Sequence, residues 1–214
     1  MVTTKNNFLS HYEFDIVSFL NYNINMRQKR GFVMKNCALF GHRRVYNYEI
    51  VAQKLQSVLT ELIQQGVENF YVGNKGVFDG LALSVLRNLK KQYVFIKINL
   101  VFVGEEALRN RDWMEYKIAN MKDVEFLSYP VEDVYFKKRI TVSNQMMVDE
   151  CDVVVCFYDV TSISHGVKNV WKYALKKNKK LINLFTDKQY IEWKKENSES
   201  FLKELEKMKS KKHA

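Results

Sequence analysis

The sequence predicts an α/β fold in which a mostly parallel β-sheet lies between two helical layers. Three observations carry this. Apolar, β-rich runs recur at 34–40, 68–73, 93–103, 124–129, 152–159 and 180–185. The stretches between them place apolar residues at helical spacing. One proline and eight glycines in 214 residues leave little room for long irregular linkers. Strands and helices that alternate in this way form a parallel sheet with right-handed crossovers, a three-layer Rossmann-like sandwich.

Each element has its own justification. Cys37-Ala38-Leu39-Phe40 is a short apolar run stopped by Gly41-His42-Arg43, and 34–40 reads as the first strand. Over 49–67, Ile50, Leu55, Val58, Leu59, Leu62 and Ile63 fall at helical spacing, with Gly66 as terminator. Residues 68–73 form the second strand. From Phe78 to about Lys91 the pattern is helical again, through Leu81, Val85, Leu86 and Leu89. The almost continuous apolar run 93–103 suits a strand buried on both faces. Residues 105–118 read as an exposed helix anchored by Trp113, and 124–129 as the fourth strand. A helix follows over 137–150, with Ile140, Met146, Met147 and Val148 apolar. DVVVCFYD, 152–159, is the clearest strand. A loop of small residues, 161–166, leads into a helix over 167–178, and 180–185 closes the sheet.

Three segments are expected: an N-terminal extension over 1–33, the sandwich domain over 34–186, and a basic helix and tail over 187–214. The extension is rich in Phe, Tyr and Ile, without a dominant period. The net charge of +10 invites a nucleic-acid reading, but residues 168–214 hold 14 Lys against 6 Asp and Glu, so eight of the ten charges are C-terminal. A solvated helix and tail accounts for them, no nucleic-acid module is recognisable, and the sequence argues against nucleic acid as partner. No apolar run is long enough to span a membrane, so no membrane is expected. The first residues do not read as a secretory signal. The odd number of cysteines, Cys37, Cys151 and Cys156, all in strand-like runs, points to a reduced, cytoplasmic protein. No Cys/His spacing reads as a metal site.

In such a sandwich, ligands bind at the carboxyl ends of the strands. The loops leaving those ends, 41–47, 73–79 and 158–167, are the ones richest in glycine, small polar groups and charge. Gly73-Asn74-Lys75-Gly76 lets backbone N–H groups approach an anion ahead of a helix N-terminus, or it is simply a tight turn. Asp79 caps that helix or accepts hydrogen bonds from a ribose, and capping is the simpler role. Arg43 is suited to phosphate, and His42 to donating a hydrogen bond or moving a proton; a plain polar turn is the alternative. Ser164 and Gly166 precede a helix, where hydroxyl and amide donors suit phosphate or only a serine cap. Asn144, Asp149 and Asp159 complete the polar set. A Ser164-His165-Asp159 triad lacks the G-x-S-x-G elbow, and the Walker pattern is absent.

CALFGHRR, LIQQGVENFYVGNKGVFDGLALSVL, NQMMVDECDVVVCFYD and SHGVKNVWKYALKKNKKLINLF, in this order over 36–186, resemble the SLOG superfamily. The likeness is to its YpsA-like, GHR-motif bacterial branch, related to the Lonely Guy enzymes and DprA. The resemblance implies a Rossmann-like domain that binds a nucleotide or nucleotide-derived ligand, with some relatives acting as sensors. It implies ligand-facing positions at Gly41, His42, Arg43, Gly73, Gly76, Asp79, Asn144, Ser164, Gly166 and Asn169; Asn74 stands where the family has a second glycine. Relatives often dimerise through helices, so a homo-oligomer is compatible with it. The P-G-G-x-G-T-x-E-E motif of the Lonely Guy enzymes matches Ser164–Val170, with Asn169 and Val170 in place of the paired glutamates. The expected function is therefore non-catalytic binding or sensing of a nucleotide-like ligand, with no certain cofactor and no metal. One alternative is a nucleotide N-glycosidase or phosphoribohydrolase-like enzyme using Asp79, Asp149 or Asp159. The other is a scaffold docking through the basic C-terminal helix.

Overall fold

A computed structural model describes residues 35–104, 120–159, 162, 165–186, 192 and 196. The expectations for 1–33, for the helix at 105–118, for Ser164 and for almost all of 187–214 fall outside these residues. Six parallel strands form one sheet in the order β4-β3-β2-β1-β5-β6. They are β1 (Asn36–Gly41), β2 (Asn69–Val72), β3 (Lys97–Val103), β4 (Glu125–Tyr129), β5 (Val153–Phe157) and β6 (Lys180–Asn183). Four α-helices are described: α1 (Tyr48–Gln64), α2 (Val77–Gln92), α3 (Arg139–Glu150) and α4 (His165–Lys176). The pairs α1/α2 and α3/α4 each pack together. This is the α/β, Rossmann-like sandwich expected from the alternation.

Strand composition explains the layering. All five residues of β5, Val-Val-Val-Cys-Phe, are buried, as a central parallel strand covered on both faces must be. In β1, Ala38 and Phe40 join the cluster that includes Met147 and Val148 of α3 and Val167, Val170 and Ala174 of α4. The alternating neighbours Cys37, Leu39 and Gly41 face the other side, where Gly41 meets Phe78 of α2. Val51, Leu55, Leu59, Leu62 and Ile63 form the buried stripe of α1, which ends with Gly66 at φ 93°. Asn47 starts α1, its side chain accepting from Ile50 N–H at 3.4 Å.

Several boundaries differ from expectation. The run 93–103 is a strand only from Lys97; Tyr93 caps α2, Ile96 N–H donates to Tyr93 C=O at 3.1 Å, and Val94 and Phe95 stay 77% and 56% exposed. That stretch is an apolar turn, which composition alone cannot separate from a strand. The last strand stops at Asn183, and 184–186 is a 3₁₀ turn. Helix α4 begins two residues earlier than its apolar pattern. Cys151 sits at the C-terminus of α3 rather than in a strand.

Candidate functional site

The turn after β2 is held from within. Asp79, the third residue of α2, reaches back so that its Oδ2 accepts from the N–H groups of both Lys75 and Gly76, each at 2.9 Å. Gly73 leaves this carboxylate room: a Cβ there would lie 3.0 Å from the same oxygen, a tight contact. Val77 N–H donates to Arg43 C=O at 3.1 Å, tying this turn to the loop after β1. Two of the amides expected to face an anion, those of Lys75 and Gly76, thus already hold a carboxylate of the protein. Burial raises the Asp79 pKa, against the lowering effect of the two backbone hydrogen bonds. Its second oxygen, Oδ1, has no hydrogen bond among the described residues.

His42 joins two strand ends. It is 5% exposed, and its Nε2 accepts from Asp159 N–H at 2.9 Å, which puts the ring proton on Nδ1. The ring lies edge-on to Phe157 at 6.1 Å and beside Tyr158 at 6.3 Å. In this fold the crevice opens where neighbouring strands send their connections in opposite directions, here between β1 and β5. His42 bridges those two ends. Next door, Asn183 Oδ1 accepts from Tyr158 N–H at 3.0 Å and its Nδ2 donates to Tyr158 C=O at 2.9 Å, fixing β5 to β6.

The open space lies beside this bridge. A cleft of ≈ 200 Å³ is floored by Phe40, Gly41, Val101 and Val103, with the turn Gly73–Gly76, Arg43 and Asp79 on one wall. The other wall is Ile140, Ser143, Asn144 and Met147 of α3 with Gly166, Val167 and Val170 of α4. One half is therefore aliphatic and the other polar. Arg43 and Lys75 are exposed at the polar rim, and neither side chain has an ion-pair partner among the described residues. Two of the lining residues carry a buried polar atom without a hydrogen-bond partner among the described residues: Asn74 Oδ1 and Ser143 Oγ. Ser143 is 1% exposed. A wider, shallow depression along the outer face of α1, lined by Gln53, Gln56, Ser57, Thr60, Glu61 and Gln64, has no converging strand ends and no cation.

Of the expected site residues, Gly41, Arg43, Gly73, Asn74, Gly76, Asp79, Asn144 and Gly166 line the cleft. His42 and Asp159 do not; they form the bridge. Asn169 is exposed on α4 outside the cleft, whereas Val170 faces in. Gly41 is required by packing, because a Cβ would run into the ring of Phe78, and a Cβ on Gly166 would meet nothing within 4 Å. Asp149 points elsewhere: it pairs with Lys177 at 2.8 Å and accepts from Tyr173 Oη at 2.8 Å. Ser143 was missed because a serine within a helix reads as solvent-facing. Its spacing from Met147, one turn on, was the available signal.

No three His, Cys, Asp or Glu side chains cluster as metal ligands among the described residues. No helix among them is long and apolar enough to cross a membrane. A family model described as the YspA SLOG family matches residues 30–188. A UPF0398 protein of Streptococcus uberis is 28% identical over 137 residues, covering 62% of this chain and 73% of the relative.

Proposed function

The chain belongs to the YspA SLOG family, and on that footing we propose that its cleft binds a nucleotide or nucleotide-derived ligand in a binding or sensing role. The observation that carries this is a pair of buried polar atoms, Asn74 Oδ1 and Ser143 Oγ, without hydrogen-bond partners among the described residues, on two residues that line a cleft with Arg43 and Lys75 exposed at its rim. A buried polar group without a hydrogen bond costs about 1–3 kcal/mol, and a ligand that supplies the bond recovers it. The aliphatic half suits a base, and Arg43 with Lys75 suits an anionic group. At ≈ 200 Å³ the cleft is smaller than the ~300–1,000 Å³ that encloses a drug-sized ligand, so part of a nucleotide would lie over the open rim. Binding rather than cleavage is favoured because Asp79 is the one carboxylate lining the cleft among the described residues. Glycoside hydrolysis uses two, roughly 5–9.5 Å apart.

The experiment is thermal unfolding against AMP, ADP-ribose, NAD and cyclic nucleotides, repeated with Arg43→Ala and Ser143→Ala. Ligand at about 100 times its Kd adds about 2.7 kcal/mol to stability, or several degrees for a chain of this size. Arg43→Ala should leave the free protein within about 0.5 kcal/mol of wild type and weaken binding. Ser143→Ala should leave it equally stable or more stable, since the hydroxyl it removes has no partner, and should also weaken binding. Unchanged affinity in both variants would reject the cleft as the site, and product release from a bound nucleotide would reject the non-catalytic role.

A further inference from the structure

We propose that the turn after β2 is the hydroxyl-recognising end of this site, and that it selects ribose over 2-deoxyribose; the inference rests on the nucleotide reading above. A glycine-rich turn ahead of a helix normally presents amide donors to phosphate. Here the N–H groups of Lys75 and Gly76 are both taken by Asp79 Oδ2, and that of Val77 by Arg43 C=O. With those three donors taken, the turn also offers the cleft two hydrogen-bond acceptors. Asn74 Oδ1 is buried and unpartnered, and Asp79 Oδ1 is the unused half of a carboxylate.

Acceptors repel phosphate oxygens and are satisfied by donors. A ribose cis-diol carries two adjacent O–H donors, one for each acceptor. Across the cleft, Ser143 is 1% exposed and its Oγ has no hydrogen-bond partner among the described residues, a second buried polar group beside the turn. The anionic end of the same ligand then falls to Arg43 and Lys75. Arg43 is close by: a Cβ on Gly76 would lie 3.4 Å from Arg43 Cα. The phosphate therefore sits on side-chain cations at the rim, and the sugar sits on the turn.

The test uses the full chain with the four ribonucleoside 5′-monophosphates and their 2′-deoxy counterparts, affinities being read by calorimetry. The ribonucleotide of at least one pair should bind tenfold or more tightly than its deoxy form, because the deoxy form leaves a buried acceptor unpaired. Asn74→Leu should bring that ratio close to one. Asn74→Asp keeps an acceptor in place and should preserve the ratio even if the added charge weakens both ligands. Equal binding of ribo and deoxy forms overturns this inference and leaves the nucleotide reading standing. A ratio untouched by Asn74→Leu, or abolished by Asn74→Asp, overturns the assignment to the turn's acceptors. No binding of any pair overturns this inference, while the nucleotide reading stands or falls with the wider panel of ADP-ribose, NAD and cyclic nucleotides.

Discussion

Replacing Gly41 by alanine tests the contact that seats the helix carrying Asp79 against the sheet. A methyl group at Gly41 would enter the ring of Phe78, overlapping Cγ and Cδ1. The ring has nowhere easy to go. Phe78 is fully buried, and it stacks on Phe157 with centroids 6.0 Å apart and planes 11° from parallel. It is also the second residue of α2, so a displaced ring displaces the first turn of that helix. Overpacking of this kind costs about 1–3 kcal/mol. For a chain of this length each 1 kcal/mol lowers Tm by about 2–4 °C, so Gly41→Ala should melt about 2–12 °C below wild type. Urea unfolding followed by circular dichroism should show a lower midpoint with an unchanged slope. Phe78→Leu alone should also destabilise, by roughly 1–2 kcal/mol. Combined with Gly41→Ala it should cost less than the sum of the two, because the smaller side chain makes room for the methyl. Strict additivity, or a Gly41→Ala protein as stable as wild type, would refute the packing argument and with it the steric reason for glycine at this position.

Three further outcomes follow from the same geometry. Because burial raises the Asp79 pKa above its ordinary 3.8, the folded state holds that proton more tightly than the unfolded state, so this group's contribution to stability falls as pH rises from 3.8 through the raised value. Asp79→Asn, which can still accept from both amides, should lack that fall, and a wild-type advantage over the variant that grows with pH in this window would contradict the sign. His42→Phe keeps a ring beside Phe157 and removes the acceptor for Asp159 N–H; it should cost about 1–3 kcal/mol and speed hydrogen exchange at that amide, whereas unchanged exchange would dismiss the bridge between β1 and β5. Burial pushes the thiols of Cys37, Cys151 and Cys156 well above the usual cysteine range, so a thiol reagent should label the native protein slowly and all three rapidly in denaturant; fast labelling without denaturant would show that the core opens.

The sandwich was legible because its strands and helices differ in period as well as composition. The run of β5, with no polar residue between Val153 and Phe157, could hardly be anything but a central strand. The start of β3 was not legible: Tyr93-Val94-Phe95 has strand composition, yet α2 extends to Gln92 and the chain must turn before it can enter the sheet. At the site, the loops after β1 and β2 were identifiable from glycine and charge, and eight of the expected residues converge on one cleft. The roles within them were harder to assign. His42 has the composition of a ligand-facing group but a buried bridging role, which depends on the distance between two strand ends 117 positions apart in the chain. No local pattern contains that distance. Ser143 shows the converse case, a residue type that usually reads as surface but here lies on the buried face of α3, one turn before Met147.

The stretch Gly73-Asn74-Lys75-Gly76 shows why a glycine turn before a helix is ambiguous as a phosphate signal. The donors that would hold an anion are backbone atoms and so are present in any such turn. Whether they are available depends on the side chain three residues into the helix. An aspartate there is drawn to the helix N-terminus by the same partial positive charge that draws a phosphate, and it arrives without the entropy cost of binding from solution. Asp79 thus competes with phosphate for Lys75 N–H and Gly76 N–H, and it holds both. The consequence reaches into the chemistry of the ligand. A turn capped by its own carboxylate gives up those two donors and carries an acceptor in their place, which shifts the task of meeting an anion toward side chains at the rim. Arg43 and Lys75, exposed on the adjoining rim and without an ion-pair partner among the described residues, are the side chains placed to meet it.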